Sequence, residues 1–377
     1  MPLPPSPDWI PAALFAGWLL AAWLTRARLR DLPLLPEARP VVLPTVTLCI
    51  PARDEGLEVG RALDTWLAQD HPSLRILVVD DGSTDATAAE LALRAQAHPE
   101  RLRVLRNDHL PPGWLGKNHA LDLATRQPEA REAQWLLFAD ADVHAAPDLL
   151  RRAFAFLEEH PADLLALLPG LDTVGLAERV LLPLANLGFL FVVPAARVAD
   201  PASRAFCGVG GFTLVRRAAY DAVGGHAAAP MEPIDDMLLA RRVKGAGFRN
   251  RVAQGGPALH LRMYHGLLAM VRALRKNLIA RPALLPLAPV GAALAVAVSL
   301  SPVLLALSGQ VGMGVLLWLL VPPLMGEVHQ RFTGRPMDLA WVLWPTGGLV
   351  VAAGLAWACA DRLRGINHWR GRNVPLR

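Results

Sequence analysis

The sequence predicts an α/β protein: a doubly wound sheet at its centre, with apolar helix-forming segments at both ends. Three observations predict it. Apolar runs of strand length alternate with helical stretches between residues 45 and 250, the pattern of a parallel sheet covered by helices. Two of those runs end abruptly in carboxylates, at Asp80-Asp81 and at Asp140-Ala141-Asp142. The chain of 377 residues is 53% hydrophobic but only 19% charged, too apolar for an ordinary soluble protein and suggestive of membrane segments joined to a soluble part.

The elements follow in order. Trp9 to Leu24 is apolar and uncharged, and Arg26, Arg28 and Arg30 come after it. A signal peptide carries its charges before the apolar run, so residues 1–30 read as a membrane anchor with a cytoplasmic C-terminal flank. Residues 31–44 are a Pro-rich linker (Pro33, Pro36, Pro40, Pro44). The central domain spans 45–258. Val46 to Pro51 reads as a buried strand, Val59 to Gln69 as a helix and Leu74 to Val79 as a second strand. A helix to about Ala97 and a strand at Leu102 to Leu105 follow. Ligands of such sheets bind outside the carboxyl ends of the strands, where both acidic clusters fall.

Residues 259–281 contain a basic amphipathic helix, with Leu267, Val271, Leu274 and Leu278 on one face. Residues 282–361 carry apolar runs at 282–308, Val311 to Gly326 and Leu339 to Ala360, two or three of them transmembrane. Residues 362–377 are a basic tail. Arg272, Arg275, Lys276 and Arg281 before the first run, and Arg362, Arg364, Arg370, Arg372 and Arg377 after the last, both read as cytoplasmic. Three full spans cannot begin and end on one side, so a break at Pro345-Thr346-Gly347-Gly348 would make one segment re-entrant.

The formal charge is +5. The arginines lie beside apolar segments rather than among aromatics on one motif, which argues for a membrane and against nucleic acid. Cys49, Cys207 and Cys359 are far apart, with no Cys-x-x-Cys spacing, which argues against a disulfide framework or a zinc site and fits a reducing, cytoplasmic compartment.

Carboxylates at the mouth of a buried strand are costly unless partnered. A divalent metal is the strongest explanation of Asp140 and Asp142, since Mg2+ and Mn2+ take carboxylate oxygens and share them with phosphates. A turn explains an Asp-x-Asp too, and Asp80 to Asp85 also suits a turn with a helix cap. In Pro111-Pro112-Gly113-Trp114-Leu115-Gly116-Lys117-Asn118 two glycines let backbone approach a ligand, Trp114 offers a stacking face and Lys117 a charge for phosphate. It lacks the spacing of a P-loop. Phe206-Cys207-Gly208-Val209-Gly210-Gly211-Phe212 is a second Gly-rich stretch, suited to a pocket wall or to close strand packing. Asp235-Asp236 opens a helical stretch, where the dipole alone would favour acidic residues.

The order Cys49-Ile50-Pro51-Ala52-Arg53-Asp54-Glu55, then Val78-Val79-Asp80-Asp81-Gly82-Ser83-Thr84-Asp85, then Phe138-Ala139-Asp140-Ala141-Asp142 resembles family 2 glycosyltransferases with the GT-A fold. The resemblance implies a nucleotide-sugar donor, usually a UDP-sugar, and Mg2+ or Mn2+. It places Pro51, Arg53, Glu55, Asp80, Asp81, Lys117 and Asp140 around the donor and gives the metal to Asp142 and Asp140. The family's acidic pair matches Asp235 and Asp236, with Asp236 as the base that takes a proton from an acceptor hydroxyl; the commoner pair is Glu-Asp. A carboxylate acceptor would need no base, and Asp236 would then orient it.

Trp114, Gly210, Gly211, Arg262 and Tyr264 are offered as acceptor or diphosphate contacts. Arg262 would offset leaving-group charge, or anchor an interfacial helix at lipid headgroups. The Gln-x-x-Arg-Trp of processive relatives is absent, which argues against a polymerase. Pro-x-Gly-Trp-x-Gly-Lys, Gly224-Gly225-His226, Asp235-Asp236 and Arg-x-Tyr followed by Lys-Asn look similar to the 4,4′-diaponeurosporenoate (carotenoid) and hopene-associated glycosyltransferases.

The function expected is a membrane-bound, metal-dependent, inverting transfer of a hexose, glucose first, from a UDP-sugar to a carotenoid, terpenoid or other apolar lipid. A polyprenyl-phosphate or ceramide-type acceptor is the alternative. A non-catalytic scaffold would lack the acidic clusters. The expected location is the cell membrane, multi-pass, with the catalytic domain facing the cytoplasm.

Overall fold

The first helix, α1 (Trp9–Asp31), leads into a linker that is stitched to the central domain. Gln254 donates its backbone N–H to Pro33 O at 2.8 Å, and Leu35 N–H donates back to Gln254 O at 3.1 Å. A computed structural model describes residues 9–39, 41–279, 286–336, 338–364, 368–369 and 372–373. Pro40, Arg281, Arg370 and Arg377, and the side chains of Arg275, Lys276, Asn277, Leu278 and Arg372, lie outside the described residues.

Strands β1 (Val46–Ala52), β2 (Leu74–Asp80), β3 (Leu102–Arg106) and β4 (Trp135–Phe138) pair in parallel in the order β3-β2-β1-β4. Strand periodicity sends alternate side chains to opposite faces. Val46, Leu48 and Ile50 join one core layer under α2 (Glu58–Leu67), α3 (Thr87–Ala97) and, further along, α6 (Leu149–Glu159). Cys49, Leu77, Val79 and Leu136 join the other, under α4 (Gly116–Thr125) and the short α5 (Pro128–Arg131). Runs buried on both faces are continuously apolar, which is why these strands are legible in the sequence.

Beyond β4 the sheet turns mixed. Its order continues β4-β7-β6-β8-β5, with β5 at His144–Ala145, β6 at Leu164–Leu171, β7 at Thr213–Arg216 and β8 at Asn250–Leu261. β7 runs antiparallel to both β4 and β6, whereas β8 is parallel to β6. The cause is an apolar excursion between β6 and β7, α7 (Leu176–Val192) and α8 (Ala195–Ala199), which returns the chain at the carboxyl end of β4. Phe138 pairs with Thr213 there, so the glycine-rich residues 208–211 land beside Asp140. Strand–helix alternation alone implied a parallel sheet throughout; it does not register this reversal. The second layer is completed by α9 (Arg217–Ala222) and α10 (Asp235–Gly245).

After β8 comes α11 (Leu267–Ile279). Among the described residues three helices are long and apolar enough to cross a membrane: α12 (Ala288–Leu307), α13 (Val311–Thr333) and the composite Leu339–Leu363. The third changes from a 3-10 helix (Leu339–Thr346) to α14 (Gly347–Leu363) where the Pro-Thr-Gly-Gly break is expected. Small residues let these helices approach closely: a Cβ on Gly314 would lie 2.5 Å from Pro302 O, and one on Gly348 would collide with Ala295 O. α1 packs on α7 and α13, with Trp18 edge-on to Trp344 at 5.2 Å and Arg26 bonded to Glu327 at 2.8 Å. The end of α13 is fastened to the sheet by Gln254 Nε2 donating to Phe332 O (3.0 Å) and by Arg335 on Asp172 (2.9 Å).

One buried carboxylate ties α7 to α11. Glu178, 1% exposed, accepts from Arg262 at 2.9 and 3.3 Å and from the backbone N–H groups of Val174, Gly175 and Gly266. Burial alone would raise its pKa, but Arg262 and those N–H donors hold it well below the usual carboxylate range. A carboxyl depressed in the folded state contributes stability above its unfolded value and loses it as pH falls through the folded one. Glu178→Ala is therefore expected to cost about 3 kcal/mol at neutral pH. Thermal unfolding in detergent should show a large deficit at pH 7 that shrinks as the pH falls towards ~3.

Candidate active site

Three acidic turns meet at the carboxyl ends of β1, β2 and β4. Pro51, Lys117, Phe138, Asp140, Gly210, His226, Asp235 and Asp236 line one cleft. At its centre Lys117 Nζ lies 2.8 Å from Asp140 Oδ1 and 3.2 Å from Asp235 Oδ1. Burial would lower the Lys117 pKa, but Asp140, Asp235 and Asp236 together outweigh it and keep the ammonium charged. The lysine therefore joins the turn after β4 to the start of α10.

Local sequence explains how each group arrives. Lys117 opens α4, and the loop before it is fastened to the segment before α10. Leu115 N–H donates to Pro230 O at 2.9 Å, and the buried Asn118 amide donates to Ala229 O, Pro230 O and Glu232 O at 2.9–3.1 Å. Asp140 lies two residues past β4, its N–H donating to Gly210 O at 3.0 Å. Gly210 leaves room for that carboxylate: a Cβ there would lie 2.6 Å from Asp140 Oδ2. Gly208 does the same for α10, because a Cβ would collide with Asp236 O. Gly211 is less constrained, its missing side chain facing Pro169 at 3.4 Å.

The pair Asp235-Asp236 is divided by its surroundings. Burial disfavours the Asp235 anion, yet Lys117 and then His226 reverse this and hold its pKa below the ordinary range. Asp236 is pushed the other way, first by burial and then by the charge on Asp235. Two neighbouring acids whose pKa values are driven apart are suited to different roles. Met237 N–H donates to Asp236 Oδ1 at 2.8 Å, and the helix N-terminus favours its anion. Cys207 lies near Asp236, and burial raises its thiol pKa.

A second network lies beside the first. Asp80 accepts from Ser83 N–H at 2.9 Å and from Arg106. Asp81 accepts from Asn107 Nδ2 at 2.7 Å and faces Arg53 at 3.4 Å. Asn107 also meets His119 Nδ1 at 3.2 Å, and Trp114 stands edge-on to His119 at 5.4 Å. Burial lowers the His119 pKa, so the neutral ring can accept from Asn107. The loop Asp54–Gly56 caps this network. Asp54 has φ of 51°, a left-handed conformation costly for a residue with a Cβ, and it is held there by Ser83 Oγ (3.0 Å) and Thr84 N–H (2.8 Å). Glu55 N–H donates to Thr87 Oγ1 at 2.9 Å.

The structure thus brings together Pro51, Lys117, Asp140, Gly210, Asp235 and Asp236, with Arg53, Asp80, Asp81 and Trp114 in the adjoining network. Arg262 is bonded to Glu178 instead, and Tyr264 packs on the first core layer. Residues that sequence reasoning missed are Asn107, His119 and Glu178, and Asn118 was noted only as the end of the Pro111–Asn118 loop. His226 was noted only within Gly224-Gly225-His226. Asn107 meets His119 12 positions on, Glu178 meets Arg262 84 positions on and Asn118 reaches Glu232 114 positions on, so no local pattern marks these contacts.

Asp140 and Asp142 bracket a tight turn, closed by Val143 N–H to Asp140 O at 3.4 Å. Among the described residues no group of three or more His, Cys, Asp or Glu could hold a metal unaided. A hard divalent cation that shares a diphosphate needs only one or two protein carboxylates, and Asp140 lines the cleft with its Oδ2 in the room that Gly210 leaves. The donor set fits that arrangement.

Residues 47–224 match the model of Glycosyl transferase family 2. The beta-monoglucosyldiacylglycerol synthase of Synechocystis sp. is 31% identical over 150 residues, 37% of this chain and 30% of that protein. The succinoglycan biosynthesis protein ExoO of Rhizobium meliloti is 31% identical over 111 residues, 29% of each. The chain thus spans less than a third of the length of these curated relatives. Among solved structures, the mannosyltransferase PcManGT from Pyrobaculum calidifontis, in complex with GDP-Man and Mn2+, matches 93% of this chain and 96% of its own. Its TM-score is 0.54 at 19% identity, which shows the fold: a GT-A-like α/β domain.

Gly208→Ala is expected to displace the first turn of α10, lowering stability by about 1–3 kcal/mol and shifting Asp236. Gly210→Ala should leave the fold intact and turn the Asp140 carboxylate away. Thermal unfolding and nucleotide-binding titrations on the two variants separate these outcomes.

Proposed function

We propose that the protein is an inverting hexosyltransferase that moves a sugar, glucose first, from a UDP-sugar to a hydroxyl of an apolar membrane lipid. The observation that carries this reading is the division between Asp235 and Asp236. A hydroxyl must lose its proton as it attacks the anomeric carbon, and a positioned carboxylate with a raised pKa is suited to take it. Asp236 has that character, while Asp235 is committed to Lys117. A carboxylate or phosphate acceptor would arrive already ionised and would need no base. The acceptor class this favours is an alcohol: a hydroxylated carotenoid or other terpenoid. A glycerolipid is the second reading, favoured by the likeness to a diacylglycerol-glycosylating relative.

Asp81, Arg53 and Trp114 bind and orient the nucleotide, and Lys117 neutralises the diphosphate side of the cleft. Asp140 and Asp142 would hold Mg2+ or Mn2+, which when bound would offset charge on the leaving diphosphate. One base and a single in-line displacement invert the anomeric carbon. The apolar helices α12–α14 and the basic flank of α11 support a bilayer location with the active site at the cytoplasmic surface, where a lipid acceptor resides.

Three outcomes test this. Membranes given labelled UDP-glucose should yield a labelled lipid whose sugar linkage survives mild base; a base-labile ester would contradict the hydroxyl acceptor. Asp236→Asn should lower kcat by about 10²–10⁴ without lowering thermal stability, and Asp142→Asn should abolish transfer; full activity in the latter would overturn the metal assignment. The rate should rise with pH as Asp236 loses its proton, along a limb above the ordinary carboxylate range. In Asp236→Asn that limb should vanish.

A further inference from the structure

The cleft holds one buried imidazole that the transfer chemistry does not itself require. His226, 5% exposed, opens a single 3-10 turn (His226–Ala228). Both ring nitrogens are committed: Nδ1 lies 2.9 Å from Tyr220 Oη, and Nε2 lies 3.8 Å from Asp235 Oδ2. The second distance is an electrostatic contact rather than a hydrogen bond. The ring stands edge-on to Phe138, centroids 4.8 Å apart, on the strand that leads to Asp140.

The backbone is shaped to put it there. Gly225 has φ of 51°, and a Cβ on it would run into the Tyr220 ring. Tyr220 Oη also accepts the backbone N–H of His226 at 3.1 Å. One phenol thus fixes both the ring and the peptide of this residue.

The proton inventory gives the arrangement a direction. A carboxylate only accepts, so a favourable contact with Asp235 needs hydrogen on Nε2. Nδ1 then accepts from the phenol, whose contact with His226 is shorter than its 3.3 Å contact with Thr125 Oγ1. The other charged or titratable groups around the pair are Lys117 from α4, Asp140 from the β4 turn and Cys207 from the loop before β7.

We propose that His226 is a positioning residue for transfer: carried on Tyr220, it fixes the Asp235 carboxylate that holds Lys117 against Asp140, and so leaves Asp236 to take the acceptor proton. This rests on the transfer reading above and adds a residue to it.

The test uses the full chain in detergent, with His226→Asn and with Tyr220→Phe, which keeps the ring. For His226→Asn, kcat should fall about tenfold with donor KM within about twofold, and the ascending limb of the pH–rate profile should move up by ~0.5 pH unit or more. The direction follows because the Asp235/Asp236 pair loses the positive end of the Nε2–H dipole, which favours the doubly ionised form. Tyr220→Phe should move the limb the same way by less. Unchanged kcat in His226→Asn, or a lowered kcat with the limb unmoved in both variants, would overturn the proposal. A second readout is independent of activity. The 15N signals of His226, identified by their loss in His226→Asn, should report the Nε2–H tautomer; the Nδ1–H tautomer would overturn the relay. If the wild type transfers no sugar, the functional reading falls, while the tautomer still decides the relay.

Discussion

The interaction on which the rest depends is the ammonium of Lys117 between Asp140 and Asp235. Without it, Asp140, Asp235 and Asp236 would face one another across one cleft with their charges unopposed, and like charges so placed neutralise themselves by binding protons or drive the structure apart. With it, the Asp235 carboxylate is held ionised and its neighbour Asp236 is left with a raised proton affinity. One cation therefore both closes the cleft and differentiates the acids within it.

Much of the surrounding architecture serves to bring that lysine and those carboxylates together. Asn118, next to Lys117, reaches three carbonyls of the segment before α10. Gly208 and Gly210 remove the two side chains that would separate the β7 entry loop from α10 and from Asp140. The apolar excursion through α7 and α8 delivers that loop to the mouth of the sheet, and the same α7 carries the Glu178–Arg262 contact that fastens the approach to α11. The apolar helices and the sheet are thus one packed unit, with α13 tied to β8 through Gln254.

The sequence was most legible where one physical signal dominates. Doubly buried strands are continuously apolar, so β1, β2 and β4 and the carboxylates that end them stand out. The motif order at 49–55, 78–85 and 138–142 carried the glycosyltransferase reading. The antiparallel return of β7 was not legible, because pairing direction leaves no mark on strand periodicity. Sequence leaves Arg262 open to the diphosphate, in place of the absent Gln-x-x-Arg-Trp, or to lipid headgroups; its partner Glu178 lies 84 positions earlier. His226 and Asp235 are closer in sequence, but only the fold of Gly224-Gly225 turns the imidazole towards the carboxylate.

Lys117 bridges carboxylates in the free protein, and the proposed transfer requires it to meet phosphate once donor is bound. The most direct measurement is an experimental structure of the full chain with Mn2+ and a non-transferable UDP-sugar, read at the manganese absorption edge. The account predicts anomalous density between Asp140, Asp142 and the diphosphate, with Lys117 Nζ on a phosphate oxygen and Asp236 facing the anomeric carbon. A nucleotide bound away from this cleft, or a manganese held by neither Asp140 nor Asp142, would contradict it.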